Sequence, residues 1–190
     1  MGLNSENAHI VGKPWMAFDC ETAPMPGCAD YFTDPIEAPD NYKDPLKIAR
    51  YIEEKRQKQI AEAGLDLDLC EVVAIAGQFH DTGWCQTRES STEGDMLDGL
   101  WRFVRTIQRD GGNLVCFNGL FFDLPILLRR SLYLGVAAPT IAVDKYRHEG
   151  VIDVAHELTY GGRMTWRSLA IYAKRFGIPH DASVKGQDIA

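Results

Sequence analysis

Nowhere does this chain stay apolar for the roughly 20 residues that a membrane helix needs. Its apolar runs, such as Val72-Val73-Ala74-Ile75-Ala76, have strand length, and residues 1–11 lack the apolar core of a secretion signal. The expectation is a soluble, cytoplasmic protein with no membrane partner. Cys-x-x-Cys pairs are also missing: Cys20, Cys28, Cys70, Cys85 and Cys116 are odd in number and irregularly spaced, which argues against a disulfide framework or a zinc site. Cys20 and Cys116 sit in apolar runs and are expected to be small buried hydrophobes. An excess of positive charge is absent too. Twenty Lys and Arg stand against 27 Asp and Glu, giving a formal charge of −7, so any polyanion must be met by local basic clusters. Such clusters occur at Lys55-Arg56-Gln57-Lys58, Arg129-Arg130, Lys145-Tyr146-Arg147-His148 and between Arg163 and Arg175. A solvated surface is the default reading of each.

What remains is an ordinary globular composition, with 45% hydrophobic and 25% charged residues in a chain of 190, enough for one domain over residues 1–190. Trp15-Met16-Ala17-Phe18 is a short apolar run that stops at Asp19, before the punctuation of Pro24-Met25-Pro26-Gly27, and predicts a first strand ending in acids. Residues 40–64 predict a helical insertion: Asp44-Pro45 supplies an N-cap and a first-turn proline, and the helix that follows has few large apolar residues. It is expected to form a peripheral arm. Residues 72–76 and 84–87 predict a hairpin through Asp81-Thr82-Gly83. Met96, Leu97, Leu100, Trp101, Val104 and Ile107 mark a helix that closes at Asp110-Gly111-Gly112. A strand at 114–117, a helix at 124–134 with Pro125 in its first turn, a short strand at 151–154 and a helix at 166–176 complete the order. The fold class is α/β, with an antiparallel hairpin joined to parallel strands in a mixed sheet flanked by helices.

Asp19-Cys20-Glu21 puts two carboxylates on one face of a strand, because strand side chains alternate with period two. Like charges this close raise each other's pKa unless a hard cation such as Mg²⁺ or Mn²⁺ accepts them as oxygen ligands. A third acid, Asp123, opens a helix after Phe117-Asn118-Gly119-Leu120-Phe121-Phe122. Taken alone, Asp123 is explained as an acid favoured by the helix dipole. Beside Asp19 and Glu21 it points to a shared site.

Phe18-Asp19-Cys20-Glu21-Thr22 and Asn118-Gly119-Leu120-Phe121-Phe122-Asp123 resemble the first two motifs of the DEDD 3′-5′ exonucleases. The nearest likeness is to predicted exonucleases related to the proofreading domain of family-B DNA polymerases, phage members included. Asn41-Tyr42-Lys43-Asp44-Pro45 and the arm share it, and the resemblance spans residues 15–188. It implies a ribonuclease H-like fold and two-metal hydrolysis of phosphodiester bonds in DNA, at single-stranded 3′ ends, with a polymerase or replication partner. In that scheme Asp19 bridges two Mg²⁺ or Mn²⁺ ions, Glu21 helps hold the ion that binds the attacking water, and Asp123 serves the second ion. Thr22, Asn118 and Phe122 are carried over as substrate-binding residues; for Phe122 a place in the core is the competing reading.

The resemblance also implies a fourth carboxylate on a last helix, in a Tyr-x-x-x-Asp or His-x-x-x-x-Asp motif. Four residues before Asp144, Asp153, Asp181 and Asp188 stand Thr140, Glu149, Gly177 and Val184, so the Tyr form is missing. His148 and Asp153 have the His spacing, but Gly150 and the β-branched residues between them favour a strand that ends at Asp153. The expectation is a domain truncated before its final catalytic helix, with weak or absent nuclease activity. Two other readings stand beside it: a catalytically deficient nucleic-acid-binding or polymerase-associated module, and an ordinary α/β domain whose acids lie apart. Lys55, Arg56 and Lys58, or Arg163 and Arg167, are candidates for phosphate contacts. His9, His80, His156 and His180 show no partner pattern.

Overall fold

A computed structural model describes residues 12–79, 81–144 and 147–179. Expectations placed on His9, His80, Lys145, Tyr146, Asp181, Asp188 and the rest of 180–190 lie outside the described residues.

The first strand, β1 (Trp15–Pro24), buries Met16, Phe18 and Cys20 on one face and carries Ala17, Asp19 and Glu21 on the other. It does not stop at the acids. β2 (Cys70–Phe79) pairs with it antiparallel from Met16↔Phe79 to Pro24↔Cys70, with a register shift between Glu21 and Thr22. Pro24 is tolerated because it is the last residue of the strand, where its missing N–H interrupts no ladder. β3 (Thr82–Thr87) completes the expected hairpin, although Thr82 and Gly83 lie inside the strand rather than in the turn. On the other side β4 (Asn113–Cys116) runs parallel to β1, and β5 (Val151–Asp153) parallel to β4. The sheet order is β3-β2-β1-β4-β5.

Between β1 and β2 lies the expected arm. α1 (Pro45–Glu62) starts at Asp44, whose carboxylate accepts from Leu46 N, and no residue of α1 is buried. Some of its charges pair along the helix, Arg50 with Glu54 and Lys58 with Glu62, while Arg56 donates to the Phe32 carbonyl.

One face of the sheet is covered by α2 (Glu93–Arg109) and α3 (Asp123–Leu134). Met96, Leu97, Leu100, Trp101, Val104 and Ile107 of α2 meet Leu124, Ile126 and Leu127 of α3 over Phe18, Val72, Ile75 and Leu114. Two polar locks fix α3 within this apolar layer. Trp101 Nε1 donates to Ser131 Oγ at 2.7 Å, and Ser131 donates in turn to the Leu127 carbonyl. Arg130 forms a two-pronged pair with Glu93 at 2.7 Å on each arm, and Glu93 also accepts from Val72 N. The two arginines of Arg129-Arg130 part ways: Arg130 is buried, whereas Arg129 stays on the exposed surface and pairs with Asp68. The opposite face, around Ala17, Asp19, Ala76, Gln78 and Cys85, is a shallow depression of about 550 Å³.

Past β5 the chain turns at once into α4 (Val154–Leu158), a helix not foreseen in the sequence, and later forms α5 (Leu169–Phe176), which is shorter than expected. The five cysteines are free, with Cys20, Cys28, Cys70 and Cys116 buried. No described helix is long and apolar enough to cross a membrane.

Candidate functional site

β4 accompanies β1 only from Trp15↔Asn113 to Ala17↔Val115. Beyond Ala17, the edge of β1 on that side has no strand partner, and the gap opens at the carboxyl ends of two parallel strands, where α/β sheets commonly bind ligands. Asp19 and Glu21 stand on the stretch of β1 beside it.

The loop after β4 fills this gap. Asn118 has φ 63°, a left-handed conformation that asparagine tolerates better than most side chains. At Gly119 a Cβ would lie 2.6 Å from Cys116 Cβ, so only glycine passes there. The loop is held from below by Asp153, which is fully buried. Its carboxylate accepts from Asn118 N at 2.8 Å and Leu120 N at 3.1 Å, and also caps α4 by accepting from Ala155 N at 3.0 Å and His156 N at 3.3 Å. Asp153 thus ends a strand, as its sequence setting suggests, and its oxygens are taken up by backbone N–H groups. Sequence reading found the residue but missed its work, because two of the four donors come from the distant loop after β4 and two from the first turn of the following helix.

So held, the loop delivers Asp123, which is 5% exposed, to the free edge of β1. There Asp123 Oδ1 accepts from Cys20 N at 3.1 Å and from Cys20 Sγ at 3.3 Å, which continues the backbone ladder with a side chain. This brings Asp123 to Asp19. Partial burial, the Asp123 charge and then the Glu21 charge push the Asp19 carboxyl up to about 6, and a hydrogen bond between Asp19 and Asp123 acts in the same direction. Such a bond needs one of the two acids protonated. Glu21 is raised by partial burial and by Asp123. Asp123 is raised by burial, against the opposing pull of its bonds from Cys20. The three predicted acids are therefore within electrostatic reach of one another, contrary to the reading in which they lie apart.

Among the described residues no three His, Cys, Asp or Glu side chains converge in a ready-made metal-ligating group. The donor set nonetheless suits a hard divalent cation. It is all carboxylate oxygen, its charges raise one another's pKa, and both Cys20 bonds fall on Oδ1 of Asp123 rather than Oδ2.

The remaining predicted residues divide. Thr22 Oγ1 donates to the Gly64 carbonyl at 2.6 Å, tying β1 to the end of the arm. Asn118 is half-buried at the turn of the loop. Phe122 is partly buried against the core, whereas its neighbour Phe121 is 53% exposed. His156, for which the sequence showed no partner, packs against the rings of Phe121 and His148.

Residues 51–190 match a family model described as predicted 3′-5′ exonuclease related to the exonuclease domain of PolB; Asp123 lies inside that match, and Asp19 and Glu21 precede it. Among solved structures, the fold is similar to that of the family B DNA polymerase from the hyperthermophilic archaeon Pyrobaculum calidifontis. The TM-score is 0.52 at 18% identity, covering 88% of this chain and 18% of the polymerase chain. The likeness thus spans less than a fifth of the polymerase's length. No curated protein sequence matches the chain.

Proposed function

The chain belongs to the predicted 3′-5′ exonucleases related to the exonuclease domain of PolB, and from that membership we propose that it hydrolyses phosphodiester bonds at the 3′ end of single-stranded DNA. The observation that carries the reading is the delivery of Asp123 to Asp19 across the free edge of β1. Asp19, Glu21 and Asp123 would hold Mg²⁺ or Mn²⁺, two ions in all. Bound there, such ions supply charge stabilisation and a water acidified toward neutral pH.

The chain's own residues do the rest. Cys20 fixes the Asp123 carboxylate in place, and Asp153 sets the loop that carries it. Asn118 and Phe122, with Thr22 beside the acids, position the terminal nucleotide. A polymerase or replication protein is the proposed partner. Because Asp153 is engaged by four backbone N–H groups, the fourth carboxylate of the family scheme is not supplied from that position.

A second reading, a catalytically deficient nucleic-acid-binding or polymerase-associated module, is favoured by the lack of a convergent three-ligand group among the described residues. One experiment separates the two. Single-stranded DNA labelled at its 5′ end is incubated with the chain in EDTA, Mg²⁺ or Mn²⁺, beside Asp19→Ala. Metal-dependent stepwise shortening that vanishes in Asp19→Ala supports the enzyme. Metal-independent binding without shortening supports the module.

A further inference from the structure

Beside the acidic site the surface changes character. Asn118, Phe121, His156, Thr159, Met164 and Trp166 are among the residues lining a cavity of about 290 Å³ that contains no carboxylate. Its walls are aromatic and sulfur-bearing, and they are open to solvent: Phe121 is 53%, Met164 63% and Trp166 49% exposed. Exposing three large apolar side chains around one hollow is unfavourable unless something flat covers them.

The walls are held in place from behind. Trp166 makes an edge contact with Phe117 at 5.9 Å between centroids, and Phe117 packs on Tyr172 at 6.0 Å. His156 lies 6.4 Å from Phe121 and 5.2 Å from His148, ring to ring. The cavity shares its scaffold with the acids, because Asp153 binds both the Asn118–Leu120 turn and the first turn of the helix that carries His156.

The rim differs from the walls. Trp166 and Met164 belong to the run Arg163-Met164-Thr165-Trp166-Arg167, every residue of which is exposed. Neither arginine takes part in an ion pair among the described residues. Stacking platforms interleaved with unpaired cations suit a single nucleic-acid strand, whose bases have apolar faces and whose backbone is anionic. A cavity of this volume, at the lower end of ligand-site sizes, admits one base rather than several.

We propose that this cavity is a base-stacking subsite that takes one nucleobase of the single-stranded substrate between Phe121 and Trp166, with Met164 alongside, while Arg163 and Arg167 meet the neighbouring phosphates. The assignment rests on the reading that a strand is hydrolysed at Asp19, and it names how that strand is gripped away from the scissile bond. It adds Phe121, the exposed neighbour of the partly buried Phe122, to the side chains that meet the strand.

The test uses the whole chain in EDTA, which holds hydrolysis off, and a 12-nucleotide oligothymidylate labelled at its 5′ end, with binding read by fluorescence anisotropy. Trp166→Ala and Phe121→Ala are each expected to weaken binding by about 5- to 150-fold, and Trp166→Phe to restore most of the loss. Abasic residues are then placed one at a time along the strand. One position is expected to weaken binding to the parent protein and to add nothing in Trp166→Ala. Because both substituted side chains are about half exposed, circular dichroism is expected to be unchanged. Parental binding that survives both alanine substitutions overturns the subsite and leaves the hydrolysis reading standing. Failure of the parent to bind the strand at all in EDTA also overturns the subsite, whereas the hydrolysis reading falls only if no metal-dependent shortening is seen.

Discussion

Asp123 accepts hydrogen bonds from the backbone N–H and the thiol of Cys20, a residue 103 positions earlier in the chain, and this contact sets the geometry of the acidic site. Because β4 parts from β1 after Ala17, the N–H of Cys20 would otherwise lack a ladder partner. A carboxylate supplies it. The cost is electrostatic: the arrangement that satisfies Cys20 places a buried acid beside Asp19, and both carboxyls are raised.

That cost predicts a pH dependence. The folded Asp19 carboxyl titrates near 6 against 3.8 for the free side chain, so between these values the folded state holds a proton that the unfolded state has released. Its contribution to stability is complete below about 3.8 and is lost as pH rises through about 6. In EDTA, the urea midpoint of the parent is expected to fall relative to that of Asp19→Asn between pH 4 and 7, since the asparagine does not titrate. Adding Mn²⁺ at pH 7 is expected to raise the parent's midpoint and leave the variant's unchanged, because a ligand of the folded state alone stabilises it. A midpoint difference that stays flat across this range would show that Asp19 titrates as an ordinary exposed carboxylate.

Asp153 is a different kind of acid, and its removal is expected to act on the fold before the site. Asp153→Ala leaves four backbone N–H groups without their acceptor, in a residue that is fully buried. A loss of about 3–5 kcal/mol is expected in denaturant unfolding. Asp153→Asn keeps one acceptor oxygen and is expected to lose less than half of that. Equal losses in the two variants would mean that charge, and not the geometry of the acceptors, is what the turn requires.

The site acids were legible because each is announced by an abrupt local change: Asp19 and Glu21 follow an apolar strand, and Asp123 opens a helix. The sheet was legible for a related reason, as its apolar runs have strand length and alternate with helical periodicity. What stayed hidden depends on contacts between distant segments. The acids lie within β1 and not at its end because β2 continues to pair with them, Asp19 with Ala76 and Glu21 with Ala74, and no local signal reports so distant a partner. α4 begins with no turn between it and β5; its signal was Asp153 acting as an N-cap, which was visible only as the end of a strand. Phe121 and Phe122 are adjacent and chemically identical, so only the path of the loop decides which meets solvent.

Arg130 and Glu93 make the same point about charge. As part of Arg129-Arg130, Arg130 looked like solvated surface, yet it forms a buried fork with Glu93, which also accepts from Val72 N. Arg130→Met strands the Glu93 carboxylate inside the protein and is expected to cost about 3–5 kcal/mol. Glu93→Gln strands the guanidinium instead, but its amide oxygen can still accept from Val72 N, and the loss is expected to be smaller. Replacing both as Arg130→Met with Glu93→Leu removes both charges and is expected to recover a large part of the single-variant loss, although the Val72 N–H is then left open. Urea unfolding of these variants, with Glu93→Leu alone to close the cycle, measures the coupling between the two side chains. Simple additivity of the losses would mean that the fork holds α3 no more firmly than the apolar packing around it does, and that Asp123, on the first turn of α3, is positioned without it.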